Sequence, residues 1–285
     1  MLDNLQITSD STCDLPVEII MENNIKISPL TVIIGNEEFI DAVNINSEKV
    51  LELVAEKGKL PKTSAVSIEY YKNFFKQFTD KGLKVLHFCI SSKDSCCYPN
   101  ACKAAEDMKG VYIVDSYTLS AGQGLLVLKA IDLLKKGKTL EEVYDYINSI
   151  KKYVQTSFII DTLEFLHKGG RCSSLALISS RLMKIHPSIA IKDGALAVKK
   201  KYIGSLNRCA VSYLNDTLAE YKNYDKTRCF VIHSPCDIDL DEMFTEKVKE
   251  LFDFETVIDA ETGSTVTSHC GRGTIGLMFI NNTEL

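Results

Sequence analysis

The chain lacks the features that define several large classes of protein. Its 285 residues carry a net charge of −5, so it has no excess of basic side chains for the phosphates of a nucleic acid. Apolar runs stay shorter than the ~18 residues of a membrane-spanning helix, because Lys129 interrupts the longest one, residues 124–134. The first residues carry neither the basic nor the apolar part of a signal peptide. We therefore expect a cytoplasmic protein with no nucleic-acid partner and no integral membrane segment.

The ten cysteines also lack a recognisable pattern. No C-x-x-C pair is present and no cysteine lies at zinc-finger spacing from a histidine, so no metal site is expected. Cys89, Cys209 and Cys229 lie in or beside apolar stretches, where a thiol behaves as a small hydrophobic group. The adjacent Cys96 and Cys97 leave a redox role open. Without a signal peptide we expect free thiols rather than disulfides.

Sequence motifs that bind phosphates or activate a serine are missing or lack their context. Residues 271–276 match G-x-G-x-x-G, but the nine residues that follow leave no room for the helix and acidic residue of a dinucleotide site. The segment Gly169-Gly170-Arg171 lacks the Gly-Lys-Ser/Thr ending of a phosphate-binding loop. The chain contains no G-x-S-x-G elbow, which argues against the hydrolases that use one.

The apolar pattern of the first half predicts alternating strands and helices. Continuous apolar stretches indicate buried strands at 4–8, 84–90 and 111–114. Capping residues and glycines delimit five predicted helices. The first begins after Asp14, and the others run from Ser47 to Gly58, from Ser67 to Gly82, over 119–136 and over 139–152. The last of these begins with a capping box formed by Thr139 and Glu142. This alternation is typical of a parallel sheet.

The second half predicts a different arrangement. Two alternating stretches, 188–192 and 195–199, flank an Asp-Gly turn and predict a β-hairpin. Further helices are predicted at 210–221 and 239–252, and further strands at 229–233, 255–258 and 275–280. The sequence therefore predicts a two-domain α/β fold. An N-terminal α/β domain with a parallel sheet (1–155) is followed by a second α/β domain with antiparallel elements (156–285), and no low-complexity linker separates them.

Five polar stretches follow predicted strands, and together they predict one anion-binding site. In an open α/β fold, the loops at the carboxyl ends of parallel strands surround the ligand crevice. Hydroxyl groups and a histidine suit a small oxyanion better than a metal ion. The stretches are Ser9-Asp10-Ser11-Thr12, Ser91-Ser92 with Ser95, Asp115-Ser116, His233-Ser234 and Thr267-Ser268-His269.

Several motifs resemble those of the DegV family, the bacterial fatty-acid-binding proteins. They occur in the family's order and cover nearly the whole chain. They are Ser9 to Pro16 (SDSTCDLP), Pro61 to Ser64 (PKTS), Ser91-Ser92 with Ser95 and Tyr98, Asp115-Ser116 with Ser120 to Gly124 (SAGQG), Thr162 to Arg171 (TLEFLHKGGR), and His269 with Gly271 and Gly273.

The resemblance implies a function. Proteins of this family hold one long-chain fatty acid in an apolar tunnel, with the carboxyl group near the surface. A separate ATP-dependent fatty acid kinase, similar to dihydroxyacetone kinases, phosphorylates that carboxyl group. The chain would then be a lipid-binding carrier and not an enzyme, with the fatty acid as its ligand and no cofactor. The resemblance implies carboxylate contacts for Thr63, Ser64, Ser95 and His269, and kinase docking for Arg171.

Some positions depart from the family pattern. Ser95-Cys96-Cys97-Tyr98 stands where Ser-Gly-Thr-Tyr is usual, so larger side chains replace a glycine and a hydroxyl. Ala65 stands where glutamine is common, and Arg272 where proline is usual. For a second basic docking residue after the hairpin, Arg208 is only a loose candidate.

The candidate residues also have purely structural interpretations. Thr63 could cap a helix after Pro61, and Ser95 could cap the helix that reaches Met108. His269 could be a hydrogen-bonded loop histidine, and Arg171 could close a helix terminus through the helix dipole.

Two rival functions remain open at this stage. The first is an acyl ester hydrolase with Ser95 as nucleophile and His269 as base, although no acidic residue that would orient the histidine is evident. The second is a carrier of another amphiphilic carboxylate.

Overall fold

The computed structural model describes residues 4–171 and 184–281 and confirms a mixed α/β fold. The strands are β1 (Leu5–Asp10), β2 (Lys26–Ser28), β3 (Thr31–Ile34), β4 (Glu37–Ile40), β5 (Lys62–Ser64), β6 (Lys84–Cys89), β7 (Val111–Asp115), β8 (Val154–Ile159), β9 (Ile185–Lys192), β10 (Ala195–Ile203), β11 (Cys229–His233), β12 (Val257–Glu261) and β13 (Ile275–Ile280). The helices are α1 (Val17–Glu22), α2 (Ser47–Lys57), α3 (Ile68–Thr79), α4 (Cys97–Ala105), α5 (Ala121–Lys135), α6 (Leu140–Ile150), α7 (Glu164–Gly169), α8 (Leu206–Glu220), α9 (Ile238–Leu251) and α10 (Ser264–Cys270).

The strands form three sheets. A four-stranded sheet has the order β2-β1-β6-β7, with every neighbouring pair parallel, so its carboxyl ends share one edge. A six-stranded sheet has the order β10-β9-β8-β13-β11-β12 and is antiparallel except between β11 and β12. The small sheet β4-β3-β5 is antiparallel. The predicted parallel sheet of the first half and the antiparallel elements of the second are confirmed.

The small three-stranded sheet was not predicted. Its strands are only three or four residues long, which is too short for the alternation of apolar and polar residues to be recognised. The omission matters because β5 carries Thr63 and Ser64, two of the candidate site residues.

The predicted hairpin is confirmed and is longer than predicted. Strands β9 and β10 pair from Lys192 opposite Ala195 to Ile185 opposite Ile203. The backbone φ angles of Asp193 and Gly194 are +51° and +81°, as a two-residue turn with a right-handed strand twist requires.

Helix boundaries follow the predicted caps with two corrections. The Ser67 hydroxyl caps α3 by accepting the Tyr70 N–H, as predicted. Helix α3 ends at Thr79, before the predicted Gly82. Asn46, and not Ser47, caps α2, because the Asn46 side chain accepts the N–H of Lys49. The capping box that opens α6 is present.

Helix α5 is buried on almost every side. Its apolar side chains, including Leu125 and Leu126, belong to one hydrophobic core that also contains Phe88 of β6 and Met278 of β13. The helix thus packs against both the four-stranded and the six-stranded sheet. Strands from Val154 onward all join the six-stranded sheet, and the boundary at residue 155 stays a prediction. Within residues 4–171 and 184–281, no helix combines the length and the hydropathy needed to cross a bilayer.

Candidate functional site

A cavity of about 450 Å³ lies where the loop after β6 meets α7, α10 and the hairpin. This volume falls in the range of about 300–1,000 Å³ that is usual for small-molecule sites. Its apolar wall consists of Leu30, Ala65, Ile90, Leu119, Phe158, Leu166, Leu196 and Val266. Its polar wall consists of Thr63, Ser64, Ser92, Lys93, Asp94, Ser95, Arg171, Thr265 and His269, and the thiols of Cys96 and Cys270 complete the lining. A mainly apolar cavity with polar groups drawn from a few loops is suited to an amphiphilic ligand.

The four residues for which the family resemblance implies carboxylate contacts all line this cavity. Thr63 and Ser64 lie on β5, Ser95 lies just before α4, and His269 lies near the end of α10. The structure brings together residues that are up to 206 positions apart. Their contact with a ligand stays a prediction.

Two of these candidates, Thr63 and His269, form a side-chain pair at the polar wall. The Thr63 hydroxyl lies 2.8 Å from His269 Nε2. Burial and, to a smaller extent, the positive charge of Arg171 together lower the pKa of His269 to about 4. At neutral pH the imidazole is therefore uncharged and carries one N–H donor and one lone pair.

The other nitrogen of His269 is enclosed by α7. Nδ1 is buried and has no hydrogen-bond partner among the described residues. A methyl group added at Gly169 would lie 2.6 Å from Nδ1. Glycine at 169 is therefore what allows the end of α7 to approach the imidazole.

Ser95 combines a structural contact with a place on the cavity wall. Its Oγ accepts the N–H of Cys97 at 3.2 Å, which supports the first turn of α4 as the capping interpretation proposed. This bond uses the oxygen as an acceptor, so the hydroxyl proton can still be donated to a ligand. Thr63 does not cap a helix, since it lies in β5 opposite Val32.

Arg171 is exposed at the mouth of the cavity. Its guanidinium donates to the Gly169 carbonyl at 2.6 Å, so it does close the terminus of α7, as the structural interpretation proposed. Burial raises the pKa of the nearby Asp94 to about 6, and the positive charge of Arg171 limits that rise. Arg171 therefore affects the electrostatics of the cavity from the surface, and its docking role stays a prediction.

Sequence reasoning missed three polar groups of the wall, Lys93, Asp94 and Thr265. Asp94 is beside Ser95 in the loop after β6, and adjacency to the polar stretch was the available signal. Thr265 lies four residues before His269 and therefore shares its face of α10. Thr265 Oγ1 is buried without a hydrogen-bond partner among the described residues.

Only some of the five polar stretches that were predicted to form one anion site line the cavity. Asp10 lies outside the cavity wall, and its carboxylate accepts from the Ser28 hydroxyl and the Ile90 N–H. Asp115 accepts the N–H of Ser92 and so shapes the loop that precedes Ser95. Both carboxylates organise the edge of the sheet without lining the cavity.

Two further parts of that prediction were wrong. Residues 267–269 do not follow a strand directly, because β12 ends at Glu261 and α10 contains them. His233 is not part of the cavity wall, and its Nε2 lies 3.6 Å from carboxylate oxygens of Asp241 and Asp259. Both errors arose because the sequence does not show how the strands are connected and ordered within the sheets.

Comparison with known proteins assigns the fold to a family. A family model described as "Uncharacterised protein, DegV family" matches residues 4–282. The chain belongs to the DegV family. Its sequence is similar to a DegV domain-containing protein of Clostridium acetobutylicum, with 30% identity over 98% of this chain and 99% of that protein. The resemblance seen in the motifs is thereby confirmed.

Solved DegV structures have the same fold. A DegV family protein of Thermus thermophilus, described as binding fatty acid, is similar with a TM-score of 0.89 and 26% identity over 98% of this chain and 99% of that one. A Thermotoga maritima protein, whose structure is described as revealing a fatty acid binding function, is similar with a TM-score of 0.82, 26% identity and the same coverage of both chains. DegV homologues of this chain therefore bind fatty acids.

One departure from the DegV pattern lies on the cavity wall. Cys96, where the family usually has glycine, is exposed and lines the cavity, whereas Cys97 is buried. Burial raises the pKa of the Cys97 thiol to about 12, which disfavours the reactive thiolate. Cysteines of the described residues are free thiols, as predicted.

Proposed function

We propose that this DegV protein binds one long-chain fatty acid in the cavity and presents its carboxyl group to a separate ATP-dependent fatty acid kinase. The observation that carries the proposal is the Thr63–His269 pair, which lies with Ser95 on the polar wall of an otherwise apolar cavity. The fatty-acid binding described for the relatives from Thermus thermophilus and Thermotoga maritima supports the ligand class.

The polar wall offers donors that suit a carboxylate. A buried carboxylate is unfavourable unless its oxygens accept hydrogen bonds. The Ser95 hydroxyl can donate one, and the Thr63–His269 pair can donate another, because the hydrogen bond between Thr63 and His269 already uses one of the pair's two protons. Hydrogen bonds to a charged group contribute roughly 1.5–3 kcal/mol each. Two such bonds would orient the head group at this wall.

The apolar wall would supply most of the affinity. A tail of about fifteen methylene groups at ~0.8 kcal/mol each gives on the order of 12 kcal/mol before the entropic cost of binding. The tail therefore sets how tightly the ligand binds, and the polar wall sets which end lies near Arg171.

The donors leave the carboxylate reactive. His269 is uncharged at neutral pH, because its pKa is lowered to about 4, and the two hydroxyls are also neutral. A carboxylate held by neutral donors keeps its negative charge, so one of its oxygens can attack the γ-phosphorus of ATP, with ADP as the leaving group, to give the acyl phosphate. Presentation to a kinase is consistent with this chemistry.

The contacts do not favour an ester hydrolase. A serine nucleophile needs a hydrogen bond to its histidine base. Here His269 Nε2 pairs with Thr63, and Ser95 Oγ accepts from the Cys97 backbone. A burst of product from an activated ester would nevertheless support the hydrolase and contradict the carrier.

Mass spectrometry of the purified protein tests the ligand directly. We expect native spectra and lipid extracts to show one long-chain fatty acid taken up from the expression host. Extraction of a different amphiphilic carboxylate would revise the ligand class. A protein that is repeatedly empty and does not bind added palmitate or oleate would contradict the proposal.

A further inference from the structure

Helix α10, which carries His269, begins without a capping side chain of its own. Its cap position is Gly263. Asp14 Oδ1 accepts the Gly263 N–H at 2.9 Å, and Asp41 Oδ1 accepts the Ser264 N–H at 3.0 Å. Carboxyl oxygens are well suited to accept from the free N–H groups at the start of a helix. Burial raises the pKa of Asp14 to about 8, so Asp14 acts here through its acceptor oxygen and not through a negative charge. Asp14 and Asp41 lie 249 and 223 positions earlier in the chain.

The two carboxyl groups are themselves held in place. The Ser120 hydroxyl donates to the other oxygen of Asp14 at 2.6 Å, and the Ser11 hydroxyl donates to the other oxygen of Asp41 at 2.7 Å. Asp14 is 6% exposed and Asp41 is 1% exposed. Both groups therefore have fixed positions beside the carboxyl edge of the parallel sheet.

The contact between the carboxyl groups and α10 is close. A methyl group added at Gly263 would lie 3.0 Å from Asp14 Oδ1 and 3.4 Å from Asp41 Oδ1. The backbone of Gly263 is in the extended region with a φ of −66°, so glycine is not needed here for its conformation. It is needed for the space.

The far end of α10 meets the candidate head-group residues. His269 is six residues after Gly263, and a helix rises about 1.5 Å per residue, so the two ends are roughly 9 Å apart. His269 Nε2 lies 2.8 Å from the Thr63 hydroxyl. A short helix moves nearly as a rigid body, so a displacement at its start is passed to the imidazole.

We propose that Asp14 and Asp41 are positioning residues for the ligand's head group, because they hold the start of α10 and thereby place His269 beside Thr63. The role rests on the proposed function, since it concerns the same carboxylate site. Neither residue lines the cavity. They would act through α10, which carries His269.

Paired ligands separate positioning from general stability. We expect Asp41→Ala to lower the ratio of palmitate to hexadecanol affinity about tenfold, with hexadecanol affinity changed less than twofold. Asp41→Asn keeps an acceptor for the Ser264 N–H, so it should restore the ratio to within about threefold of the wild type. Asp14→Ala and Asp14→Asn should show the same contrast.

Asp10→Asn is the matched control. Asp10 is also a fully buried carboxylate, and it accepts from Ser28 and from the Ile90 N–H without touching α10. We expect this variant to lower the melting temperature and leave the affinity ratio unchanged. If Asp41→Ala loses stability as Asp10→Asn does and keeps the wild-type ratio, Asp41 is merely structural and the proposal is overturned.

A spectroscopic readout does not depend on any fatty acid. The His269 imidazole, assigned in NMR spectra by comparison with His269→Gln, should titrate near its buried pKa of about 4 in the wild type. The imidazole should titrate at least one pH unit higher in Asp41→Ala. The same shift is expected in Gly263→Ala, because the added methyl group would push α10 away. An unchanged titration in both variants would overturn the positioning role. An empty wild-type protein with the expected titrations would overturn only the fatty-acid function.

Discussion

His269 is the residue whose chemistry depends most on its surroundings. Burial and the nearby Arg171 keep it uncharged, and Thr63 fixes one ring nitrogen. In an open loop the same histidine would titrate near its ordinary pKa of about 6.5. Its usefulness as a neutral donor therefore comes from where α10 places it.

The head-group residues should discriminate between an acid and an alcohol. We expect Ser95→Ala or His269→Ala to weaken palmitate binding by about 1–3 kcal/mol, because each removes one donor to a charged acceptor. Hexadecanol, which has the same tail, should bind nearly as before. Calorimetric titration with both ligands measures the difference. Equal losses for both would show that these residues support the fold.

The lowered pKa of His269 should also affect stability. Its folded-state pKa of about 4 lies below the ordinary value of 6.5, so the unfolded chain takes up a proton between these pH values and the folded chain does not. The stability contributed by the neutral imidazole is therefore complete above pH 6.5 and is lost as pH falls toward 4.

Denaturant unfolding of wild type and His269→Gln, at pH 7 and at pH 4.5, tests this effect. The wild type should lose about 2–3 kcal/mol more than the variant over this interval. The same loss in both proteins would assign the pH dependence to other groups.

The sequence indicated most of the site at the level of single residues, and it did so through family motifs more than through chemistry. Thr63, Ser95 and His269 were found because they lie in recognisable motifs. Thr265 was missed because its place on the cavity wall depends on α10 being a helix. The capping of α10 by Asp14 and Asp41 could not be predicted, since no sequence pattern links residues more than 200 positions apart.

At the scale of elements, the approach of α7 to α10 defines one side of the polar wall. Gly169 ends α7 at the point where a side chain would meet His269. Gly170 follows with a φ of +70°, and nothing lies within 4 Å of an added methyl group. The two neighbouring glycines thus serve different needs, one of space and one of backbone conformation.

This pair gives a matched test. We expect Gly169→Ala to displace the imidazole and to lower palmitate affinity at least fivefold with little change for hexadecanol. Gly170→Ala should cost about 1 kcal/mol of stability through its left-handed backbone without altering the preference for the acid. Parallel titrations and thermal melts of the two variants compare the effects. If Gly170→Ala lost the preference for palmitate over hexadecanol and Gly169→Ala kept it, the roles assigned to the two glycines would be wrong.

Element prediction succeeded where a pattern was long or had a clear boundary signal. The hairpin β9–β10 and the capped helices α3 and α6 belong to this class. The sheet β4-β3-β5 and the helix α10 were missed because each is short and gains its stability from contacts with distant residues. The candidate site contains residues from both the small sheet and α10, so its geometry could not be predicted from the sequence.

At the scale of the whole molecule, the predicted docking role of Arg171 depends on its place at the surface. Arg171 is exposed at the cavity mouth, and its guanidinium donates to the Gly169 carbonyl. An exposed guanidinium is suited to carboxylates of a partner and mainly affects the rate of association.

We expect Arg171→Ala to leave palmitate affinity and melting temperature nearly unchanged. It should reduce acyl-phosphate formation by the cognate kinase at limiting carrier concentration, and the deficit should narrow as carrier is added. Kinase assays over a range of carrier and salt concentrations measure this. A variant that loses its lipid, yet supports the kinase normally when loaded, would remove the docking role.

The position of α5 has a consequence for how a ligand would enter and leave. Because this helix packs against both large sheets, separating them would expose its apolar faces to water and break one continuous core. A hinge motion between two halves is therefore energetically unfavourable. Exchange should instead depend on local fluctuations at the cavity mouth. We therefore expect a bound fatty acid to leave slowly without unfolding of the core. The backbone amide protons of α5 should exchange with solvent only when the whole protein unfolds.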